Sequence, residues 1–443
     1  MGIKKLSLVF LSIIIVLFFV GCKKQFICNN ICCQIPSGEH IKVFIATDPH
    51  YMSKKLFDDG EAFDTFLNSG DGKLIHYSEE IFDAFTYDVK NHKPDILIVP
   101  GDLTCNGEKE SHMEFSEKLK AIQKMGTCVL VLPGNHDIEN SWAREYKKEE
   151  LIKIDSISPE EFEDIYYAYG YKDAASKDPN SLSYLATPSE DLWFLMLDSA
   201  KYNRNKLRDG PEMGGEISPK TLEWIRECGD LAKENNAKLL AVMHHSLLDH
   251  SEVVNGNYTI DNNEDTIKVL QDCNIELVLT GHIHLQDIII YDIATSCLSA
   301  YPNQYGVLNF LPNKGYYYKS SRVNIYDWAW ENEIEDKNIT NFRNYSREFF
   351  KKRSYDKYYT QLLEISKYSN EEMAAISETM SVLNLRYFAG FRNSELYDIF
   401  KTEGFEILLE SAPNFVRDYA LSMFSDEKTD NNKIFIPIGI NNK

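Results

Sequence analysis

Cys128-Val129-Leu130-Val131-Leu132-Pro133-Gly134-Asn135-His136-Asp137 joins five apolar residues to a turn carrying an amide, an imidazole and a carboxylate. A five-residue run without polar alternation and rich in β-branched side chains reads as a strand covered on both faces. Its polar residues then stand at the C-terminal end. The same arrangement recurs along the chain. Residues 41–46 lead to Asp48-Pro49-His50, residues 96–99 to Gly101-Asp102, residues 239–243 to His244-His245, and residues 275–279 to Gly281-His282-Ile283-His284. A sixth run spans 192–197. Helical stretches at 79–91, 110–125, 219–235 and 265–272 lie between these runs. Alternating strands and helices mean an α/β layered fold. Shorter runs at 288–292, 306–310, 316–318 and 322–326 are expected to complete a second sheet.

Each motif alone is ordinary, since Gly-Asp after a strand is a common turn and most single histidines bind nothing. The ordered set of five is not ordinary. In open α/β sheets the C-terminal strand edge is where ligands bind. Asp48, His50, Asp102, Asn135, His244, His282 and His284 offer carboxylate, imidazole and amide donors suited to Mn, Fe, Zn or Mg. Seven groups exceed one ion's needs. They fit two divalent ions about 3.5–4 Å apart sharing one carboxylate, the clamp used for in-line phosphoryl displacement. Successive strand side chains face opposite ways, so only one of His244 and His245 points at such a centre.

The ordered set resembles the calcineurin-like metallophosphoesterase superfamily over about residues 41–328. More narrowly, it resembles secreted or lipid-anchored bacterial members related to cyclic-nucleotide phosphodiesterases. Gly214-Gly215-Glu216-Ile217-Ser218, ahead of a helix with Leu222 and Trp224, is similar to that branch as well. The resemblance implies a four-layer α/β/β/α sandwich with two ions. Asp48, His50, Asp102 and His284 would hold one; Asp102, Asn135, His244 and His282 would hold the other, with Asp102 bridging. His244 is taken over His245 because the family's ligand tends to be the first histidine after the strand. His136 would touch the scissile phosphate or its leaving oxygen as an acid or charge stabiliser, and Asp137 would support the turn. The implied reaction is hydrolysis of phosphodiester bonds in cyclic or other small nucleotides by a metal-bridging hydroxide. Cys105 stands where purple acid phosphatases carry an iron-binding tyrosine, so Mn or Fe(II) is expected, with Zn also open, rather than a purple Fe(III) centre. A phosphomonoesterase or protein phosphatase with the same dinuclear site is the nearest alternative. Protein serine/threonine phosphatases, however, carry glutamate where Asp137 stands.

Composition limits the partners. The 443 residues carry 47 Lys+Arg against 68 Asp+Glu, a net charge of −21, which disfavours nucleic acid and leaves a small phosphoester as the expected substrate. Lys4 and Lys5, an apolar stretch at 6–20 and Gly21-Cys22 read as a signal peptide with a lipoprotein-type processing site. It resembles a bacterial lipobox with Phe19 where leucine is usual. The expected organisation is a signal peptide (1–21), a linker (22–40) attached to lipid at Cys22, a phosphoesterase domain (41–328) and a helical subdomain (329–443). The expected location is the extracytoplasmic face of the bacterial cell membrane, with the lipid anchor as sole membrane contact. A lipid-anchored solute-binding protein is a remote alternative, because it has no need of seven metal donors.

Cys28, Cys32 and Cys33 could pair in an oxidising compartment, whereas Cys105, Cys128, Cys228, Cys273 and Cys297 read as small buried residues. His40, His76, His92, His112 and His250 read as surface residues. Beyond residue 329, Ser369 with Glu372 makes a capping box, and Met373, Ile376, Met380 and Leu383 mark one apolar face. The basic run Arg343, Arg347, Lys351, Lys352, Arg353 and Lys357 reads as a solvated face. This region could shape a substrate cleft, mediate dimerisation or cover the sheet, and the oligomeric state is open.

Overall fold

The computed structural model describes residues 35–391, 398–424 and 430–438. The signal peptide, Cys22 and the linker cysteines lie outside them. The chain runs β1 (Ile41–Ile45), α1 (Glu61–Ser69), α2 (Ser78–His92), β2 (Ile96–Pro100), α3 (Lys109–Lys124) and β3 (Cys128–Leu132). A hairpin of β4 (Arg144–Lys147) and β5 (Glu150–Lys153) and a helix α4 (Pro159–Ile165) lead to β6 (Ser176–Lys177), β7 (Tyr184–Ala186) and β8 (Leu192–Leu197). Then come α5 (Pro219–Glu234), β9 (Lys238–Met243), α6 (Asn263–Asp272), β10 (Val278–Thr280), β11 (Asp287–Ile289), β12 (Asp292–Ala294), β13 (Gln304–Leu311) and β14 (Gly315–Arg322). The remainder is α7 (Ile325–Glu331), α8 (Lys337–Thr340), α9 (Phe342–Ile365), α10 (Asn370–Phe388), α11 (Glu403–Ser411), α12 (Asn414–Ser422) and β15 (Lys433–Pro437). No helix among the described residues is long and apolar enough to cross a membrane.

Two sheets share the strands. One has the order β15-β14-β13-β1-β2-β3, the other β11-β12-β10-β9-β8-β7-β6. The pairs β1–β2 and β2–β3 are parallel, as are β8–β9, β9–β10 and β10–β12. Strand β8 shows why the runs are continuously apolar. Leu192, Phe194 and Met196 enter the core between the sheets with Val43 and Ile98, while Trp193, Leu195 and Leu197 enter a second core with Trp224 and Ile225 of α5. Both faces are therefore covered, and each fully buried side chain of this size contributes about 1.5–3 kcal/mol. Phe82 and Phe115, from α2 and α3, join the core of the first sheet, giving the helix, sheet, sheet, helix order.

Four sequence expectations need correction. Residues 288–292 are not one strand but parts of β11 and β12, which pair antiparallel across Ile290 and Tyr291. Residues 306–310 and 316–318 belong to β13 and β14, which extend the first sheet and not the second. Residues 322–326 leave β14 and enter α7, because Asn324 accepts from the Asp327 N–H and caps that helix. The last strand of the motif series starts at Val278, not 275. The C-terminal region is helical except at its end, where β15 pairs antiparallel with β14.

In that region the Ser369–Glu372 capping box is present, and Met373, Ile376, Met380 and Leu383 are buried with Tyr358 and Leu362 of α9. The basic run is not wholly solvated. Arg353 is buried and donates to the Asn68 carbonyl, and Lys357 lines a cavity described below. Cys128 is disulfide-bonded, while the other four cysteines among the described residues are free thiols. A cystine is as apolar and buried as a thiol, so the sequence pattern did not distinguish them.

His112 and His250 are buried, contrary to the surface expectation, and His76 is half-buried. His250 Nδ1 lies 2.8 Å from Asp287 Oδ2 and its Nε2 3.3 Å from Asp292 Oδ2. Asp292 Oδ2 also accepts the Leu247 and Leu248 N–H groups, so the cluster ties the loop after β9 to the β11–β12 hairpin. Burial opposes a charge on His250, but Asp292 and Asp287 outweigh it and lift its pKa to about 9 from 6.5. A raised folded-state pKa stabilises fully below the unfolded value and ceases to do so as pH rises through the folded one. His250→Ala is therefore expected to cost about 3–5 kcal/mol near pH 6, with the deficit shrinking between pH 6.5 and 9. Paired thermal melts across that range check it, and a deficit independent of pH would contradict the charged assignment.

Candidate metal centre

The loops after β1, β2, β3, β9 and β10 converge at one end of the paired sheets. Their backbones are unusual: Asp48, His50, Asp102, His282 and His284 have φ of 52°, 40°, 49°, 63° and 59°. Non-glycine residues rarely occupy this left-handed region, and such strain persists where surrounding structure over-determines it, commonly at functional sites. Neighbouring glycines permit the close approach. A Cβ on Gly281 would lie 2.6 Å from Asp48 Oδ2, and one on Gly134 would collide with the Asp102 carboxylate.

All seven proposed donors come together. Asp48, His50, Asp102 and His284 each bring a ligand-type atom within 4.8 Å of the others, and so do Asp102, His244 and His282. Asp102 is common to both groups. Its Oδ2 lies 3.6 Å from His50 Nε2 and its Oδ1 3.4 Å from His244 Nε2. Asn135 Oδ1 is 3.1 Å from His244 Nε2. Asp48 Oδ1 sits 3.4 Å from His284 Nε2 yet has no hydrogen-bond partner although buried. Buried polar atoms rarely go unpaired, and a carboxylate oxygen left so among imidazoles fits a cation.

Hydrogen bonds outside the centre set the ring orientations. His244 Nδ1 donates to the Pro100 carbonyl at 3.0 Å, leaving Nε2 for the centre. His282 Nε2 donates to the Asn257 carbonyl at 3.0 Å, leaving Nδ1. His245 engages both nitrogens elsewhere, with Ser199 Oγ at 2.9 Å and the Met213 carbonyl at 3.2 Å. His136 donates from Nδ1 to the Cys105 carbonyl at 2.9 Å, while its backbone N–H donates to Asp102 Oδ1 at 2.9 Å. Asp137 is no donor to the centre: its carboxylate accepts from the N–H groups of Gly134, Leu103 and Thr104 and so joins two of the loops.

The electrostatics follow from burial against neighbours. Burial opposes ionisation of Asp102, but His244 and His136 hold its carboxyl well below the usual range. Burial likewise opposes a charge on His244, and Asp102 and Asp48 overcome it, raising the ring to about 9. Burial and His244 push His282 down to about 3. Burial is also the main cause holding His136 down at about 4, with Lys73 adding to it and Asp102 opposing.

Two neighbours escaped the sequence reading. Cys297 groups with His50 and His284, and its thiol donates to the Asp48 carbonyl at 3.1 Å. Burial and Asp48 raise that thiol far above its ordinary range, so it is an uncharged donor fixing the Asp48 loop. Lys73 pairs with Asp71 at 3.6 Å and shares a cavity wall with Asp102 and His136. No periodicity or motif marks either residue. Lys73 arrives through a bridge between its backbone and Ala300.

Known proteins match both parts of the chain. Residues 41–286 match the family described as calcineurin-like phosphoesterase, and residues 324–430 match the C-terminal domain of cyclic nucleotide phosphodiesterase. A "Probable cyclic nucleotide phosphodiesterase" from Psychrobacter arcticus is 24% identical over 275 residues, covering 60% of this chain and 84% of that protein. A "Probable glycerophosphodiester phosphodiesterase" from Arcobacter nitrofigilis is 34% identical over 91 residues, 19% of this chain and 32% of that one. Among solved structures, a dimetal phosphatase from Danio rerio aligns with a TM-score of 0.43 and 12% identity, covering 63% of this chain and 95% of its own. With five strand-end motifs gathered around Asp102 and more than half of its length matched, the chain belongs to the calcineurin-like phosphoesterases and is a metal-dependent hydrolytic enzyme.

Proposed function

We propose that the protein is a phosphodiesterase acting on cyclic or other small nucleotides at this centre. One observation carries the diester preference. Two cavities, of about 230 Å³ and about 570 Å³, meet at a common wall formed by Asp71, Lys73, His136 and Met213. A phosphodiester carries two ester substituents, and the two cavities flanking His136 offer a place for each, whereas a monoester needs only one. The names of both sequence relatives, and of the family matched by residues 324–430, point to diesters too.

In this reading Asp48, His50, Asp102 and His284 hold one ion and Asp102, Asn135, His244 and His282 the other. Mn or Fe suits the mixed carboxylate, imidazole and amide donors, and Zn is compatible. When bound, such ions supply Lewis-acid chemistry, activating water and offsetting phosphoryl charge. The chain's own side chains do the remaining work. His136 lines both cavities with Nδ1 tied to Cys105, which leaves Nε2 to exchange a hydrogen bond with an ester oxygen. Lys73 sets a cation beside it, so a phosphate anion enters an otherwise acidic protein.

The test is a comparison of bis(p-nitrophenyl) phosphate, p-nitrophenyl phosphate and 2′,3′- or 3′,5′-cyclic AMP, using full-length protein with added Mn²⁺. Diester turnover is expected to exceed monoester turnover at least about tenfold, a difference of roughly 1.4 kcal/mol in barrier. Faster monoester turnover would establish the phosphomonoesterase alternative.

A further inference from the structure

His136 is held at Nδ1 by two groups and not one. The Cys105 carbonyl oxygen lies 2.9 Å from that nitrogen, and Asn106 Oδ1 lies 3.0 Å from it. A carbonyl only accepts, so Nδ1 carries the proton and Asn106 must present its oxygen to the ring. Asn140 fixes the same orientation independently. Its Oδ1 accepts the Trp142 N–H at 2.9 Å, so its Nδ2 is the donor that reaches the His136 carbonyl at 3.0 Å and Asn106 Oδ1 at 3.5 Å.

Asn106 and Asn140 are both buried, and the turn that carries Asn106 is tied down in its own right. The Asn106 N–H donates to Glu108 Oε2 at 3.1 Å, and the Gly107 N–H donates to Thr104 Oγ1 at 3.1 Å. Gly107 has φ of 74°, and a Cβ there would lie 2.7 Å from the Asp137 carbonyl oxygen and 3.0 Å from that of His136. Only glycine lets this turn close on the backbone of the histidine it serves.

A neutral imidazole has one N–H, and the Cys105 carbonyl already satisfies it. A second buried acceptor on the same proton, in a three-centre bond, adds little to satisfaction but restricts the ring. One acceptor lets the ring swing about a single contact. A second acceptor off that line removes the swing and fixes where Nε2 points. Direction matters there, because hydrogen bonds weaken steeply when misaligned and small misplacements of a reacting group are costly in rate.

We infer that Asn106 is a positioning residue, which shares the His136 Nδ1–H with the Cys105 carbonyl and thereby aims Nε2 at the ester oxygen. The inference rests on the phosphodiesterase reading for the work of His136, but placement of the ring can be read without turnover. In full-length, Zn²⁺-loaded protein containing ¹⁵N-histidine, the His136 Nδ1–H signal is identified by its absence from His136→Ala. In Asn106→Leu that signal is expected to shift and to exchange with water about fivefold faster, as one lost hydrogen bond allows. With added Mn²⁺, the same variant should hydrolyse cyclic AMP with kcat lowered about tenfold, while KM and metal content stay as in the parent. Asn106→Asp, which keeps an acceptor oxygen, should recover most of that loss. Asn106→Leu combined with His136→Ala should be no slower than His136→Ala alone, since Asn106 acts through the ring. Asn106→Ala removes the amide without adding bulk and covers the case in which Asn106→Leu does not fold.

An unchanged Nδ1–H signal, or an unchanged kcat beside a slow His136→Ala, would overturn the positioning role. Losses that add in the double variant would overturn it as well and make Asn106, which lines the larger cavity, a direct substrate contact or part of the framework. A parent-like kcat in His136→Ala, with the signal moved in Asn106→Leu, would instead overturn the work assigned to His136 and uphold the placement of its ring.

Discussion

Asp102→Ala is expected to reduce turnover by about 10³-fold or more and to strip the centre of metal. Asp102 is the one residue common to both ligand groups, with one oxygen toward His50 and the other toward His244. Losing Lewis-acid stabilisation of several kcal/mol, at about 1.4 kcal/mol per tenfold, sets that scale. The variant is also expected to lose stability, because His244, whose charge Asp102 supports, is left buried without its carboxylate. Metal analysis of the purified variant beside a thermal melt is the measurement. Retention of the parent's metal content would mean that Asp102 bridges nothing, and the proposed ligand sets would have to be redrawn. Asp102→Asn sharpens the test, since it keeps the shape and removes only the negative charge.

His136→Ala is expected to behave differently, lowering kcat by about 10²-fold or more while metal content stays near that of the parent. Geometry separates the two outcomes. His136 donates its backbone N–H to Asp102, a bond that alanine retains, and its ring donates from Nδ1 to the Cys105 carbonyl. The residue lines both cavities, where the proposed function puts an ester oxygen. Loss of metal in this variant would transfer His136 from the substrate to the ligand set. As an unexpected restraint on its role, burial and Lys73 hold the ring neutral around pH 7. With Nδ1 donating, a neutral His136 presents Nε2 as an acceptor, so service as an acid requires the approaching phosphate to raise its proton affinity.

The centre was legible in the sequence because parallel strands covered on both faces leave a plain mark: five apolar residues, then a polar turn at the edge where ligands gather. That logic does not need the sheets to be told apart, and it did not tell them apart. Whether β13 pairs with β1 or with β10 is decided by contacts more than 200 residues apart in the chain, to which a run of apolar residues is indifferent. Asn324 shows a different failure. The apolar positions Val323 and Ile325 alternate as a strand would, and only the capping bond to Asp327 reveals a helix start. His250, Lys73 and Cys297 stayed hidden for a common reason. Each owes its setting to a partner delivered by another element: Asp287 and Asp292 by a hairpin, Ala300 by a bridge, Asp48 by the first loop. Polar residues in loops and on mixed helix faces carry no periodicity that announces burial.

The final strand has an evolutionary consequence. Because β15 rejoins the sheet beside β14, the helices α7 to α12 form an excursion stitched at both ends and not a trailing appendage. Such an excursion can be rewritten or exchanged as one contiguous block while the strand register on either side is preserved. A change along that one stretch of the gene would therefore reshape the cavity wall that α9, α10 and α12 line while leaving the loops around Asp102 as they are.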